Sequence, residues 1–227
     1  MNRWLLNFDV RIAKEQYVSG RWDNNSRAQF LLRPDAEWPL SVDRSVWPSV
    51  FFSNHFRDFR DANATIGIDP ELKGTSGLTS WQDLDRMRAY YDAHRALAPG
   101  GVFVAIELLS EKTAEGPYVP YELSGGIQCG IWLDRTVPNR IPEGSTLLGY
   151  DVADAGRISG LSNCGYTEGE VRTMGPVWAD RLNSFGLLST LEDAVAFRQQ
   201  CDQRVPEHAP FWVYTLWRLL WPVVELT

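Results

Sequence analysis

The chain has 227 residues, with 22 Lys and Arg against 29 Asp and Glu and a formal net charge of −7. This length allows one domain with a sizeable core, and we expect a single domain over residues 1–227. The basic residues are scattered along the chain. Because no basic stripe is available to neutralise phosphates, we expect no nucleic-acid partner.

The apolar segments and the cysteines indicate a cytoplasmic protein. The most apolar segment, residues 211–224, is too short to span a bilayer and contains Arg218 and Pro222. The first residues, MNRWLLNFDVRI, lack the apolar run and the cleavage site of a secretory signal. Three widely spaced cysteines without a C-x-x-C pair favour reduced thiols. We therefore expect no membrane association and a cytoplasmic location.

The first half of the chain is predicted to begin with strands and to continue with helices. Alternation of apolar and polar residues predicts a strand over residues 4–12, and two segments bounded by proline-containing turns are further strand candidates, at residues 26–33 and 49–53. Apolar residues at helical spacing predict helices over residues 55–63 and 81–97. Pro99 and Gly100 end the second helix.

The second half is predicted to be mainly strands, with one well-defined helix. The strands are predicted over residues 101–110, 126–134, 145–152 and 211–217, and the helix over residues 189–204. Ser189 or Thr190 is expected to begin the helix. A segment with Pro117 and Pro120 is predicted to be a polar loop. Together these elements predict an α+β domain, in which a mainly antiparallel or mixed β-sheet packs against a few helices.

The stretch GYDVADAGRISGLSNCGY, residues 149–166, concentrates residue types that are used in catalysis. Cys164, His208 and Asp151 can be written as the thiolate, the base and the orienting acid of a cysteine hydrolase. Cys164 also suits a role in folding, since a strand starting at Ile158 would turn the thiol inward. We favour the second interpretation, because no local signature indicates an activated thiol.

Residues 151–157 are predicted to form a hairpin turn. In this interpretation Asp154 hydrogen-bonds locally and Gly156 takes a positive φ, as Asp and Gly commonly do in turns. Two strand-like pieces, residues 147–152 and 157–164, would be joined by this turn.

Neither a metal site nor a cofactor is predicted. The carboxylates near the turn match no calcium-loop spacing, and the histidines include no H-x-x-x-H pair for zinc. Residues 94–107, HRALAPGGVFVAIE, look like the helix, turn and strand of class I methyltransferases. The glycine-rich turn that such a fold needs after its first strand is missing from the sequence, so we expect no bound cofactor.

Two segments, LLGYDVADAGRISGLSNCGY (residues 147–166) and EHAPFWVYTLWRL (residues 207–219), resemble uncharacterised bacterial proteins encoded beside polymorphic toxins. Those companions are regarded as immunity proteins, which bind a toxin and block it. The resemblance implies a protein that neutralises a cognate protein toxin by contact, without catalysis. A small cysteine-dependent hydrolase centred on Cys164 is the alternative.

The acidic balance of the chain suggests which residues would contact such a toxin. Carboxylates attract a basic cleft and speed its capture by electrostatic steering. We therefore expect a partner-binding role for four residues on or after the predicted turn, namely Asp151, Asp154, Glu168 and Glu170.

Overall fold

The computed structural model describes residues 1–11, 84–85, 88, 92, 102–112, 114–115, 118–123, 125–132, 140–161, 173 and 175–220. The elements predicted over residues 26–33, 49–53 and 55–63 lie outside the described residues, as do Cys164, Glu168 and Glu170. Within the helix predicted over residues 81–97, the four described residues, at positions 84, 85, 88 and 92, are helical.

The described residues form six strands in two antiparallel sheets. The strands are β1 (Asn2–Arg11), β2 (Val102–Ser110), β3 (Tyr118–Leu123), β4 (Ile127–Trp132), β5 (Thr146–Ala153) and β6 (Trp212–Arg218). The larger sheet has the strand order β1-β2-β6-β5, and β3 pairs with β4 in a separate hairpin. All the described strand pairs are antiparallel. With helix α1 (Leu191–Arg204), this confirms the predicted α+β class.

Helix α1 covers one face of the larger sheet. Thr190 caps the helix, because its Oγ1 accepts a hydrogen bond of 3.1 Å from the N–H of Asp193. The buried side chains Ala194, Phe197 and Cys201 recur at helical spacing and belong to one core cluster with residues of β5 and β6. The predicted helix is therefore confirmed, and of the two predicted starting residues, Ser189 and Thr190, the cap is Thr190.

The β3–β4 hairpin covers the opposite face of the sheet. Val119 and Ile131 are buried in a second core cluster, together with Ile106 of β2 and Tyr214 of β6. The larger sheet thus lies between a helix and a hairpin, and its inner strand β2 is buried on both faces. The polar loop predicted around Pro120 is wrong, because Pro120 lies within β3.

Glu107 joins three neighbouring strands of the larger sheet. Its Oε2 accepts hydrogen bonds from Thr215 Oγ1 at 2.8 Å and Trp217 Nε1 at 3.2 Å, both on β6. Arg3 Nη1 on β1 donates to the same oxygen at 3.1 Å. A carboxylate with several donors can be buried at acceptable cost, so this contact holds β1, β2 and β6 in register.

None of the described helices is both long enough and apolar enough to span a membrane.

Candidate functional site

The turn after β5 is organised by Asp154. The N–H of Ile158 donates to Asp154 Oδ1 at 2.8 Å, and the N–H of Arg157 donates to the carbonyl oxygen of Asp154 at 3.0 Å. The predicted local hydrogen bonding of Asp154 is confirmed. The positive φ of the turn belongs to Arg157, at 65°, so its assignment to Gly156 is wrong.

Asp151 lies inside the protein and not at its surface. It is buried on β5, where its Oδ1 accepts from Ser159 Oγ at 2.6 Å and from the N–H of Val152 at 2.7 Å. Ser159 in turn accepts from the N–H of Leu161 at 3.0 Å. These bonds give Asp151 a structural task, which is to fasten the returning chain to the edge of the sheet.

The strand predicted to start at Ile158 is not formed in the described residues. Ser159 makes an isolated bridge with Ala153, and the chain then turns at Gly160 and Leu161. The predicted inward orientation of Cys164 stays a prediction, because that residue lies outside the described part of the chain.

His208 is the partner of the second oxygen of Asp154. Its Nδ1 lies 2.9 Å from Asp154 Oδ2, and its side chain is 32% exposed. With the proton on Nδ1, the ring donates to the carboxylate and leaves the Nε2 lone pair available as an acceptor. The triad written from the sequence paired His208 with Asp151, but the structure pairs it with Asp154.

The loop that carries His208 is held at both ends. The N–H of His208 donates to the carbonyl oxygen of Val205 at 3.0 Å, next to the end of α1. At the start of β6, the N–H of Phe211 donates to Asp202 Oδ1 at 2.7 Å. Burial raises the pKa of the Asp202 carboxyl, while the Phe211 N–H and the charge of Arg198 act in the opposite direction.

Two tyrosines lie near the Asp154 carboxylate. The hydroxyl of Tyr214, which is fully buried, donates to the carbonyl oxygen of Asp154 at 3.1 Å. Burial raises the pKa of the Tyr214 phenol far above its ordinary value. Burial also raises the pKa of Tyr121, with Cys129 and then Asp154 contributing further. Tyr121 packs edge-on against the ring of Trp212, with the two centroids 6.0 Å apart. The hairpin therefore reaches the Asp154 end of the sheet.

The outward face of the hairpin is the second feature with functional chemistry. The Tyr118 side chain lies over Gly130, where an added Cβ would come within 2.8 Å of Tyr118 Cβ. Beside it, Gln128 Nε2 donates to Glu122 Oε2 at 2.6 Å. Tyr118 is 42% exposed, and Ile127, at the turn of the hairpin, is 59% exposed. An aromatic ring and a carboxylate thus share the outward face, while the exposed Ile127 lies on the inner face at the turn.

The pairing of Asp154 with His208 can support proton transfer. A histidine oriented by a carboxylate can accept a proton from a thiol or a water molecule through Nε2. Among the described residues, no group of three or more His, Cys, Asp or Glu side chains gathers closely enough to hold a metal ion. Because His208 is partly exposed, the Asp154–His208 pair can act either as an acid–base pair or as a surface contact.

Comparison with known proteins gives no match: no family model, no curated protein and no solved structure matches the chain. The chemistry of the described residues is therefore the basis on which a function can be inferred.

Of the two hairpin strands, β4 was predicted within residues 126–134, whereas β3 was missed. Its signal was the alternation of Val119, Tyr121 and Leu123 on one side of β3, which is a strand period of two. Pro117 and Pro120 concealed that signal, because prolines normally mark loops and strand edges.

Proposed function

We propose that the protein is an immunity-type inhibitor that binds a cognate protein toxin by contact, without catalysis. The observation that carries the proposal is the outward face of the hairpin, where the exposed Tyr118 ring lies over Gly130 beside the Glu122 carboxylate. Exposed aromatic side chains are common anchors of protein interfaces, because they bury a large area at little conformational cost.

The charge of the chain indicates the chemistry of the partner. Glu115 and Glu122 are exposed next to and on β3, whereas Glu111, directly after β2, is paired with Arg198 of α1 at 3.8 Å. Together with the net charge of −7, these carboxylates favour a partner with a basic surface. Many toxins that act on nucleic acid need such a surface, because their substrate is a polyanion.

The proposal assigns different tasks to the acids that were expected to contact a partner. Asp151 is buried and hydrogen-bonded to Ser159. Asp154 forms hydrogen bonds within its turn and to His208. In the contact between Asp154 and His208, the side chain of His208 is the more exposed of the two. The partner-binding roles of Glu168 and Glu170 stay predictions.

The proposal is tested by expressing the protein with the product of its neighbouring gene. We expect the two proteins to co-purify and the toxicity of the neighbour to be relieved. Tyr118→Ala and Ile127→Ala should each weaken the complex about tenfold or more, in the range of interface anchors. Val177→Ala is the matched control, because Val177 is 51% exposed but lies outside the hairpin. Failure of the wild-type protein to bind or to protect would refute the proposal.

A cysteine-dependent hydrolase is the second candidate, and the contact between Asp154 and His208 favours it. In this mechanism His208 Nε2 removes the thiol proton of Cys164, and Asp154 stabilises the resulting imidazolium. The thiolate attacks a carbonyl carbon, the histidine returns the proton to the leaving group, and water releases the acyl enzyme.

Alkylation with iodoacetamide at neutral pH distinguishes the two candidates. An activated Cys164 should react faster than Cys129, which is a partly exposed free thiol and serves as the internal reference. His208→Ala should abolish that difference, because it removes the base. Labelling of Cys164 no faster than Cys129 in the wild type would exclude the hydrolase.

A further inference from the structure

The two long edges of the β3–β4 hairpin differ in their backbone chemistry. Pro120 of β3 stands directly opposite Gly130 of β4 in the antiparallel register. Antiparallel neighbours alternate between hydrogen-bonded and non-bonded pairs, and proline has no N–H to donate. Pro120 and Gly130 therefore form a pair whose backbones are not hydrogen-bonded to each other. It follows that the backbone N–H and C=O groups of Gln128 and Gly130 point away from β3.

The backbone contacts of Tyr118 support this assignment independently. Tyr118 lies two positions before Pro120 on β3, so its backbone groups point to the same edge of the strand. Its N–H donates to the carbonyl oxygen of Glu115 at 3.2 Å. In return, the N–H of Glu115 donates to the carbonyl oxygen of Tyr118 at 2.7 Å. The outer edge of β3 is therefore occupied at Tyr118, and it lacks a donor at Pro120. Both features discourage the addition of another strand at this edge.

The outer edge of β4 is open in the part of the chain that the structure describes. The hairpin sheet there consists of β3 and β4 alone. Gly130 and Gln128 are both exposed. Since glycine has no side chain, the exposure of Gly130 is exposure of its backbone. An open edge of this kind presents unpaired donors and acceptors to any extended peptide.

We infer that the outer edge of β4 takes up an extended segment of the toxin, which adds to the hairpin as a third strand. This inference rests on the proposed function and names its mode of contact. Backbone hydrogen bonds from Gln128 and Gly130 supply affinity, and the side chains on either face of the hairpin supply specificity.

The side chains along β4 define the chemistry of the segment. On the outer face, the carboxylate of Glu122 reaches across to Gln128, so a Lys or Arg of the added strand can contact it. On the inner face, the exposed Ile127 offers an apolar contact at the next position along the strand. The edge therefore fits a segment in which basic and apolar residues alternate.

A matched pair of substitutions at one position tests the backbone contact. Gln128→Ala keeps the outward N–H, whereas Gln128→Pro removes it, and both variants lose the same side-chain bond to Glu122. The full-length variants are titrated against the product of the neighbouring gene. We expect Gln128→Pro to bind about tenfold more weakly than Gln128→Ala, since a partner carbonyl is left without its donor. Equal affinities would overturn the inference but leave the proposed function standing.

Amide hydrogen exchange of the free protein tests the edge without any toxin. The N–H groups of Gln128 and Gly130 should exchange much faster than those of Cys129 and Ile131, which point towards β3. Equal protection at all four positions would overturn the inference even if the wild-type protein binds the toxin. Dimerisation of the free protein that Gln128→Pro abolishes would also overturn it, by making a second copy of the chain the occupant. Failure of the wild type to bind would instead count against the proposed function.

Discussion

Nδ1 of His208 and Oδ2 of Asp154 lie 2.9 Å apart, although 54 positions separate them in the sequence. Asp154 directly follows β5, and His208 lies in the loop that precedes β6. Because β5 and β6 are antiparallel neighbours, their connecting loops meet at the same end of the sheet. The contact therefore fastens two loops together and fixes the orientation of the imidazole.

Loss of this contact should be measurable as a loss of stability. We expect His208→Ala to lower the free energy of unfolding by about 1 kcal/mol, which is the usual net value of one hydrogen bond. Asp154→Ala should cost about 2 kcal/mol, since it also leaves the N–H of Ile158 without its acceptor. Urea denaturation measures both effects. Glu207→Ala is the control, because Glu207 is exposed in the same loop. A His208→Ala variant as stable as the control would show that the contact contributes nothing.

Asp151 should behave as an interior residue and not as a contact residue. Asp151→Ala leaves Ser159 and the N–H of Val152 without their buried acceptor. We expect this substitution to cost about 3 kcal/mol, at the upper end for single polar deletions. Asp151→Asn, which keeps an acceptor oxygen, should cost less. Thermal denaturation ranks the two variants. If the Asp151→Ala protein were stable but no longer bound the toxin, Asp151 would instead contact the toxin, as expected from the sequence.

The stability of the protein should depend on Tyr214 in alkaline solution. Its pKa is above the ordinary value of 10.0 in the folded protein, because burial disfavours the phenolate. The unfolded chain therefore loses this proton at a lower pH than the folded protein. The contribution of Tyr214 is thus complete below about pH 10 and declines as the pH rises beyond it.

Comparison with Tyr214→Phe isolates that contribution. Near neutral pH the variant should be less stable by about 1 kcal/mol, because it lacks the hydrogen bond to Asp154. Urea denaturation at about pH 8 and about pH 11 should show that this difference shrinks as the pH rises. Tyr121 is present in both proteins, and its charge raises the pKa of Tyr214 further. A difference that grows with pH would contradict the prediction.

Gly160 should be intolerant of a side chain because of Cys201. A Cβ at position 160 would lie 2.6 Å from Cys201 Sγ and 3.2 Å from Phe197 Cε1. We expect Gly160→Ala to cost about 1–3 kcal/mol, as overpacking of a core does. Cys201→Ala removes the sulfur, so the double variant should be more stable than the sum of the two single effects predicts. Simple additivity in a double-mutant cycle would show that the contact does not limit the site.

The sequence was sufficient for elements with a clear period and distinct ends. Helix α1 was predicted from its start at Ser189 or Thr190 and its end before Pro206, and β2 was predicted from a largely apolar run. β3 was missed because its alternating pattern contains Pro120. A proline is compatible with a strand position whose backbone nitrogen points away from the partner strand, and that direction cannot be known before the strand pairing is known.

The candidate site was only partly predictable, for a related reason. The bonds of Asp154 within its own turn follow from local turn chemistry and were expected. Its contact with His208 depends on β6 lying beside β5, which is a property of the sheet order and not of either segment. The assignment of the positive φ to Gly156 followed the general preference of glycine, but Arg157 takes that conformation.

The strand order also has a consequence for how the protein can fold during synthesis. β6 is the last of the described strands along the chain, yet it lies between β2 and β5 in the sheet. The hydrogen bond between Glu107 and Thr215 cannot form until Thr215 is synthesised, 108 positions after Glu107. The ribosome must therefore release nearly the whole described chain before the sheet can close, and such distant pairings slow folding. Until then β2 remains an apolar strand with one edge open, so a chaperone that shields it should raise the yield of native protein.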